Sequence, residues 1–382
     1  MARQIRKVVV LGANGAMGAG SGEVFAAAGI ETTFLARTKD KAIEGQRRAE
    51  KLAKSTAIAR FIRVGTYDED LARTVAEADL VFEAVSEDLA LKRVFLAKID
   101  EARRPDAIVA TVSSGLSIAA MARAGGASFA RHFLGIHFFN PPNVIVGCEL
   151  IPHAGTDPAV VVDVDALLRQ RLGRELVRTS DTPAFCGNRV GFKVLNECAQ
   201  LAEARGPDGA AYIDALVGPH TGRAMAPLAT IDFVGWDVHA AIVDNVYAHT
   251  RDEAHQSFRM PPGMRARLAE GCLGDKTPDK GGFFKKGVNY GIQIPEIARR
   301  MKELHRVGRY RQAFDAFAEA GGADAELMRR VILGYVSYGL GRVGEVVERV
   351  ADVDRIMGFG FNWAPPGALV DLIGARRTVA LV

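Results

Sequence analysis

The sequence predicts a doubly wound α/β domain followed by an all-α half that occurs in two copies. Three observations carry this expectation. A glycine-rich turn sits between a short apolar strand and a helix near the N-terminus, within residues 7–28. Strand and helix patterns alternate as far as Asp181-Thr182-Pro183 and become purely helical beyond it. A paired-aspartate pattern then appears twice in the helical half, at 214–235 and 354–374.

Bulk composition agrees and excludes several classes. A chain of 382 residues is long enough for two or three domains with substantial cores. With 48% hydrophobic and 25% charged residues, neither disorder nor a membrane class is indicated. The net charge of +4 permits an anionic ligand, but no basic run with interleaved aromatics points to nucleic acid. Cys148, Cys186, Cys198 and Cys272 lack Cys-x-x-Cys or zinc-type spacing, so they read as reduced thiols of a cytoplasmic protein without a metal site. Val8-Val9-Val10-Leu11 is too short for a signal-peptide core, and no segment approaches the roughly 18 apolar residues of a spanning helix.

Lys7 to Leu11 has the β-branched character of a buried parallel strand. It enters Gly12-Ala13-Asn14-Gly15-Ala16-Met17-Gly18, and an alanine-rich helix runs to Ala28 before a second strand from Thr32 to Ala36. This is a βαβ unit with a dinucleotide fingerprint of Rossmann type. Its glycines (Gly12, Gly15, Gly18) let the backbone approach a pyrophosphate, and the helix N-terminus around Met17 supplies amide donors. The turn is one residue longer than Gly-x-Gly-x-x-Gly. The second strand ends Ala36-Arg37-Thr38, where an acidic residue normally holds the ribose 2′-hydroxyl; arginine there could face a 2′-phosphate, so NAD and NADP both stay open.

Lys39 to Lys54 reads as a charged, solvated helix. Asp79 to Val85 is the next strand, followed by Ser86-Glu87-Asp88 and a helix containing Lys92; Ile108 to Val112 is another, ending at Ser113-Ser114-Gly115. Open α/β sheets bind ligands at the carboxyl ends of their strands, so Ser114 either bonds a substrate oxygen or caps the following helix. In Gly135-Ile136-His137-Phe138-Phe139-Asn140-Pro141-Pro142 a histidine leaves an apolar strand just before prolines stop it. A second apolar strand, Val144 to Ile151, carries Glu149. A carboxylate on a neighbouring strand can hold one imidazole nitrogen and leave the other to act as a general base. A helix from Pro158 to Leu172 and a strand from Glu175 to Arg178 complete the α/β half.

Beyond the Asp-Thr-Pro boundary, Asn188 opens the first helix. Asp214…Gly218, Pro227 and Asp232…Gly235 are echoed by Asp354…Gly358, Pro366 and Asp371…Gly374, with spacings of 18 and 17 between the paired aspartates. A long apolar helix precedes each copy, Val190 to Ala204 and Val331 to Val347, and Gly281 to Lys286 reads as a terminating loop between them.

These motifs together resemble the L-3-hydroxyacyl-CoA dehydrogenases of fatty-acid β-oxidation, specifically the dehydrogenase part of multifunctional proteins. Residues 135–142 resemble the family's catalytic-histidine motif, with Glu149 twelve residues on as its partner. Val112-Ser113-Ser114-Gly115-Leu116 resembles the substrate-contacting serine segment, and Asp181 to Arg189 the junction that carries an active-site asparagine, here Asn188. The resemblance implies Glu87, Lys92, Asn140 and Lys276 as cofactor contacts and NAD as cofactor. It implies a nucleotide domain over 1–180, a helical domain over 181–288 and a shortened second helical copy over 289–382. No hydratase stretch is read in the chain, so a separate enoyl-CoA hydratase is the partner to expect beside the acyl-CoA substrate. The second copy is expected to cover the first within one chain, giving a monomer or a dimer through another surface. Two rivals carry less of the sequence. A dehydrogenase for another 3-hydroxy acid, of the two-domain β-hydroxyacid or phosphogluconate kind, usually relies on a catalytic lysine on a helix, and a non-catalytic structural or nucleotide-sensing relative would have lost one of the four polar positions.

Overall fold

Eight strands form one sheet in the computed structural model, which describes residues 3–285, 287, 288 and 290–382. In chain order they alternate with helices: β1 (Lys7–Leu11), α1 (Ala16–Ala27), β2 (Glu31–Ala36), α2 (Lys39–Ala53), β3 (Ile62–Thr66), α3 (Tyr67–Glu77), β4 (Leu80–Glu83), α4 (Leu89–Ala102) and β5 (Ile108–Thr111). The short helices α5 (Ile118–Ala122) and α6 (Ala127–Arg131) lead into β6 (Phe133–Phe138), β7 (Gly147–Pro152), α7 (Pro158–Ala166) and β8 (Glu175–Arg178). The sheet order is β3-β2-β1-β4-β5-β6-β7-β8, parallel except between β6 and β7. These elements belong to one compact unit, up to Phe185, and a second unit runs from Cys186.

A parallel strand covered by helices on both faces must be apolar along its whole length. β1 meets this requirement. Val8 and Val10 join one core with Phe25, Phe34 and Phe82, while Val9 and Leu11 join the opposite core with Leu96 and Ile99. The chain leaves β1 towards β2 and β3 on one side and reaches β4, β5 and β6 on the other. That reversal leaves a crevice outside the carboxyl ends of β1 and β4, where doubly wound sheets take their ligands.

Element boundaries differ from expectation where side chains intervene. β4 stops at Glu83 rather than Val85, because the Glu83 carboxylate accepts the Val85 N–H (2.7 Å) and closes a turn. β7 begins at Gly147, not Val144: the Val144 and Ile145 amides both donate to Pro141 O (3.0 Å each), and that segment is a turn. α7 gives way at Leu167 to a wider helical turn ending at Arg171.

The second unit is helical throughout: α8 (Gly187–Arg205), α9 (Gly209–Leu216), α10 (Pro227–Val234), α11 (Trp236–His249), α12 (Pro262–Ala269), α13 (Glu296–Arg306), α14 (Tyr310–Glu319), α15 (Ala323–Leu340), α16 (Val350–Phe359), α17 (Pro366–Ile373) and α18 (Ala375–Leu381). α8 is buried along most of its length and packs against α9, α10, α11, α15 and α16. α15 starts eight residues before the expected Val331 and ends at Leu340. Asp324 and Glu326 favour its first turn; the helix ends at Leu340, and the following turns, which include Gly344 (φ +89°), carry the rest of the apolar run to Val347. Buried Arg189 of α8 reaches Asp252 (2.7 Å) and the Tyr338 hydroxyl of α15 (3.1 Å). Asp214 accepts the N–H groups of Leu228 and Ala229 at the start of α10 (2.8 and 2.9 Å), and Asp354 accepts that of Gly367 at the start of α17 (2.8 Å). In the loop expected at 281–286, the Phe283 and Phe284 amides donate to Asp232 (2.9 and 2.8 Å); Lys286 lies outside the described residues.

Candidate active site

The glycine turn after β1 is built by close approaches. Gly12 has φ +74°, and a Cβ there would lie 2.2 Å from Ala84 O; one on Gly18 would lie 2.2 Å from Gly12 O. Gly15 is the N-cap of α1, so no side chain caps the helix, and its first turn holds no acidic residue. Bare amides at a helix N-terminus, beside a residue without a side chain, are a fit for the pyrophosphate of a dinucleotide. The Gly12 N–H itself donates to the Tyr67 hydroxyl (2.9 Å). Burial raises the Tyr67 pKa; the Gly12 bond lowers it, Glu83 raises it and Arg37 lowers it. Arg37 itself is exposed, just past β2, and Met17 is half-buried in the first turn of α1.

Beside the turn, at the ends of β4 and β5, lies a buried ionic network. Lys92 and Glu83 are both 0% exposed, with Nζ 2.9 and 3.0 Å from the two carboxylate oxygens. Glu83 also accepts from Thr111 Oγ1 (2.6 Å) and the Val85 amide (2.7 Å), which satisfies the carboxylate in its dry setting. Lys92 continues to Glu87 (3.4 Å), and Glu87 accepts from Ser113 Oγ (2.6 Å) and the Ser114 amide (2.8 Å). Ser114 is not the helix cap. That role falls to Ser117, whose Oγ accepts the Ala120 N–H (3.1 Å). Asp181 holds the same helix through the Ile118 and Ala119 amides (2.8 Å each).

His137 is opposite Glu149 in the antiparallel β6–β7 register, and its Nδ1 is 2.6 Å from Glu149 Oε2. His137 is 3% exposed and Glu149 0%. The rings of Phe139 (4.8 Å between centroids) and Phe185 (5.6 Å) pack on the imidazole. Asn140 is exposed and joined to Pro141 by a cis peptide. The first unit thus collects the glycine turn, Arg37, Glu87, Lys92, Ser114, Asn140 and the His137–Glu149 pair at the same edge of the sheet. Asn188 and Lys276 lie in the second unit. Asn188 is buried in α8, and Lys276, about half-exposed, pairs with Asp237 (2.7 Å).

Sequence reasoning missed Glu83, Thr111, Ser113 and Tyr67. Glu83 did leave a signal: a charge inside an apolar strand, with a lysine nine residues later, requires a partner. Among the described residues there is no group of His, Cys, Asp and Glu placed to hold a metal, and no helix long and apolar enough to cross a membrane.

A doubly wound sheet with an uncapped glycine-turn helix at its switch point has the architecture of a dinucleotide-binding protein. The chain belongs to the 3-hydroxyacyl-CoA dehydrogenase family: residues 7–182 match its NAD binding domain and residues 185–285 its C-terminal domain. A probable 3-hydroxyacyl-CoA dehydrogenase of Bacillus subtilis is 29% identical over 99% of this chain, which spans only 52% of that relative's length. A probable 3-hydroxyacyl-CoA dehydrogenase of Deinococcus radiodurans is 33% identical, over 74% of this chain and 83% of its own. The crystal structure of 3-hydroxybutyryl-CoA dehydrogenase from Escherichia coli shares the fold with a TM-score of 0.76 at 21% identity, over 99% of this chain and 94% of that one.

Proposed function

We propose that the protein oxidises an L-3-hydroxyacyl-CoA to the 3-ketoacyl-CoA with NAD, in fatty-acid β-oxidation. The observation that carries this is the buried His137–Glu149 pair, 2.6 Å apart at directly opposed positions of β6 and β7. A carboxylate only accepts, so Nδ1–H donates to Glu149 and Nε2 carries the lone pair. His137 takes the proton of the substrate 3-hydroxyl at Nε2, and Glu149 stabilises the imidazolium that forms. When bound, the nicotinamide supplies the hydride acceptor for C3. Ser114, whose backbone amide donates to Glu87 (2.8 Å), stands at the carboxyl end of β5, and its hydroxyl donates to the substrate oxygen. For Asn188, as for Asn140 and Lys276, the support is the family motif. The test is acetoacetyl-CoA reduction with NADH. His137→Ala and Glu149→Gln should each lose about 10²–10⁴ in turnover, with NADH binding retained. Near-normal turnover in His137→Ala would overturn the mechanism.

We further propose that residues 289–382 are a shortened second copy of the helical domain. Asp214 and Asp354 play the same part at the starts of α10 and α17, and α8 and α15 pack on one another as equivalent long helices. Phe361 of the second copy occupies the space beside Gly191 of α8, where a Cβ would come within 2.2 Å of the ring. The apolar face that a partner chain would otherwise cover is then filled from within.

A further inference from the structure

β2 ends on Ala36, which is fully buried, and the chain emerges at exposed Arg37. In a dinucleotide-binding βαβ unit this is the place that faces the adenosine ribose. An acidic side chain there bonds the 2′-hydroxyl and repels a 2′-phosphate, whereas arginine accommodates the phosphate. The structure puts Arg37 in that place. β2 pairs with β1 in parallel, Leu35 beside Leu11, and Leu35 O accepts the Ala13 N–H of the glycine turn (3.3 Å). Among the described residues Arg37 makes no hydrogen bond or ion pair.

The neighbours suit an anion. Thr38 caps α2 by accepting the Lys41 N–H (3.3 Å), which leaves its own O–H to donate. The stretch Arg37-Thr38-Lys39-Asp40-Lys41 carries three cations and one carboxylate, and Lys41 turns away to Glu44 (2.9 Å). An arginine fork matches a phosphate in two parallel bonds, which a lysine cannot do.

We infer that Arg37 and Thr38 form a subsite for a ribose 2′-phosphate, so that the protein binds NADP(H) as well as NAD(H). This rests on the family's dinucleotide site and adds a recognition element that an acidic residue at this place would forbid. The phosphate would carry close to two negative charges near neutral pH. Its grip should therefore weaken with salt, whereas NAD(H), lacking it, should respond little.

The test is binding, read from nicotinamide fluorescence as NADH and NADPH are titrated separately into the full chain. Expected are dissociation constants within tenfold of each other. Arg37→Ala, an exposed change that leaves the fold alone, should weaken NADPH about 10- to 100-fold and NADH less than twofold. Added salt should reproduce that difference in the unchanged protein. NADH binding with NADPH more than tenfold weaker overturns the 2′-phosphate subsite and leaves the dinucleotide site standing, as does an Arg37→Ala protein that weakens both alike. Failure of both nucleotides to bind overturns both.

Discussion

Replacing Glu83 by Gln removes one charge from an ion pair whose members are both fully buried. The amide keeps the size of the side chain and can still accept from Val85 N–H, but Lys92 loses its nearer, fully buried counter-charge. Breaking a buried pair from one side costs about 3–5 kcal/mol, because the remaining ion stays in the dry interior. Lys92 retains Val85 O at 3.3 Å and Glu87 at 3.4 Å, which favours the lower end, about 3 kcal/mol. For a unit the size of the first one, each kcal/mol moves the melting temperature about 2–4 °C, so a fall of roughly 6–12 °C is expected. Calorimetry measures it. Trp236 and Trp363, the only tryptophans, both lie in the second unit, so tryptophan fluorescence serves as an internal control for a loss confined to the first. Lys92→Met alone should cost as much, and the double variant should cost clearly less than the two combined. A Glu83→Gln shift under about 2 °C, or strictly additive singles, would refute the claim that this pair is held by mutual compensation.

Two further perturbations concern the second unit. His239, fully buried with Nε2 donating to Asn196 (3.0 Å), is pushed down to about 3 by burial. Below pH 6.5 the unfolded chain binds a proton that folded His239 refuses, so its contribution is full above 6.5 and is lost as pH falls towards 3. His239→Gln should therefore gain about 2 kcal/mol on wild type between about pH 7.5 and about pH 5, measured as tryptophan-detected urea midpoints; a pH-independent difference would refute it. Ending the chain near residue 290 strips Tyr338 and Glu345 from Arg189 and Phe361 from Gly191. Sedimentation should then show a dimer or insoluble protein, and a soluble monomer would mean that the second copy does not stand in for a partner chain.

The features legible in the sequence were those whose cause is local. β1 and its turn could be read because a β-branched run followed by spaced glycines has few other uses, and Glu175 to Arg178 was placed without error. The His137–Glu149 pair followed from a histidine at a strand end and a carboxylate in the next strand. What escaped was tertiary. Nothing near Glu83 announces that Thr111, on a different strand, will donate to it. Ser114 and Ser117 are both plausible caps by composition, and only the turn geometry around Asp181 assigns the role to Ser117. The far end of α15 was misplaced because hydrophobicity continues through Val343, Val346 and Val347 after the helix has ended at Leu340.

The opposed register of β6 and β7 bears on how this protein could change. His137 and Glu149 meet because they share a rung of an antiparallel ladder, so the number of residues between them is incidental to the contact. Insertions or deletions within Asn143 to Val146, in the turn beyond both strands, leave the rung intact. One residue added inside either strand turns a side chain of the pair to the opposite face of the sheet. A library that varies turn length can therefore reshape the mouth of the site at little risk to its chemistry, whereas one that shifts the strands loses the pair outright. For the same reason, a search for remote relatives gains more from matching the two strands than from demanding a fixed interval between the histidine and the glutamate.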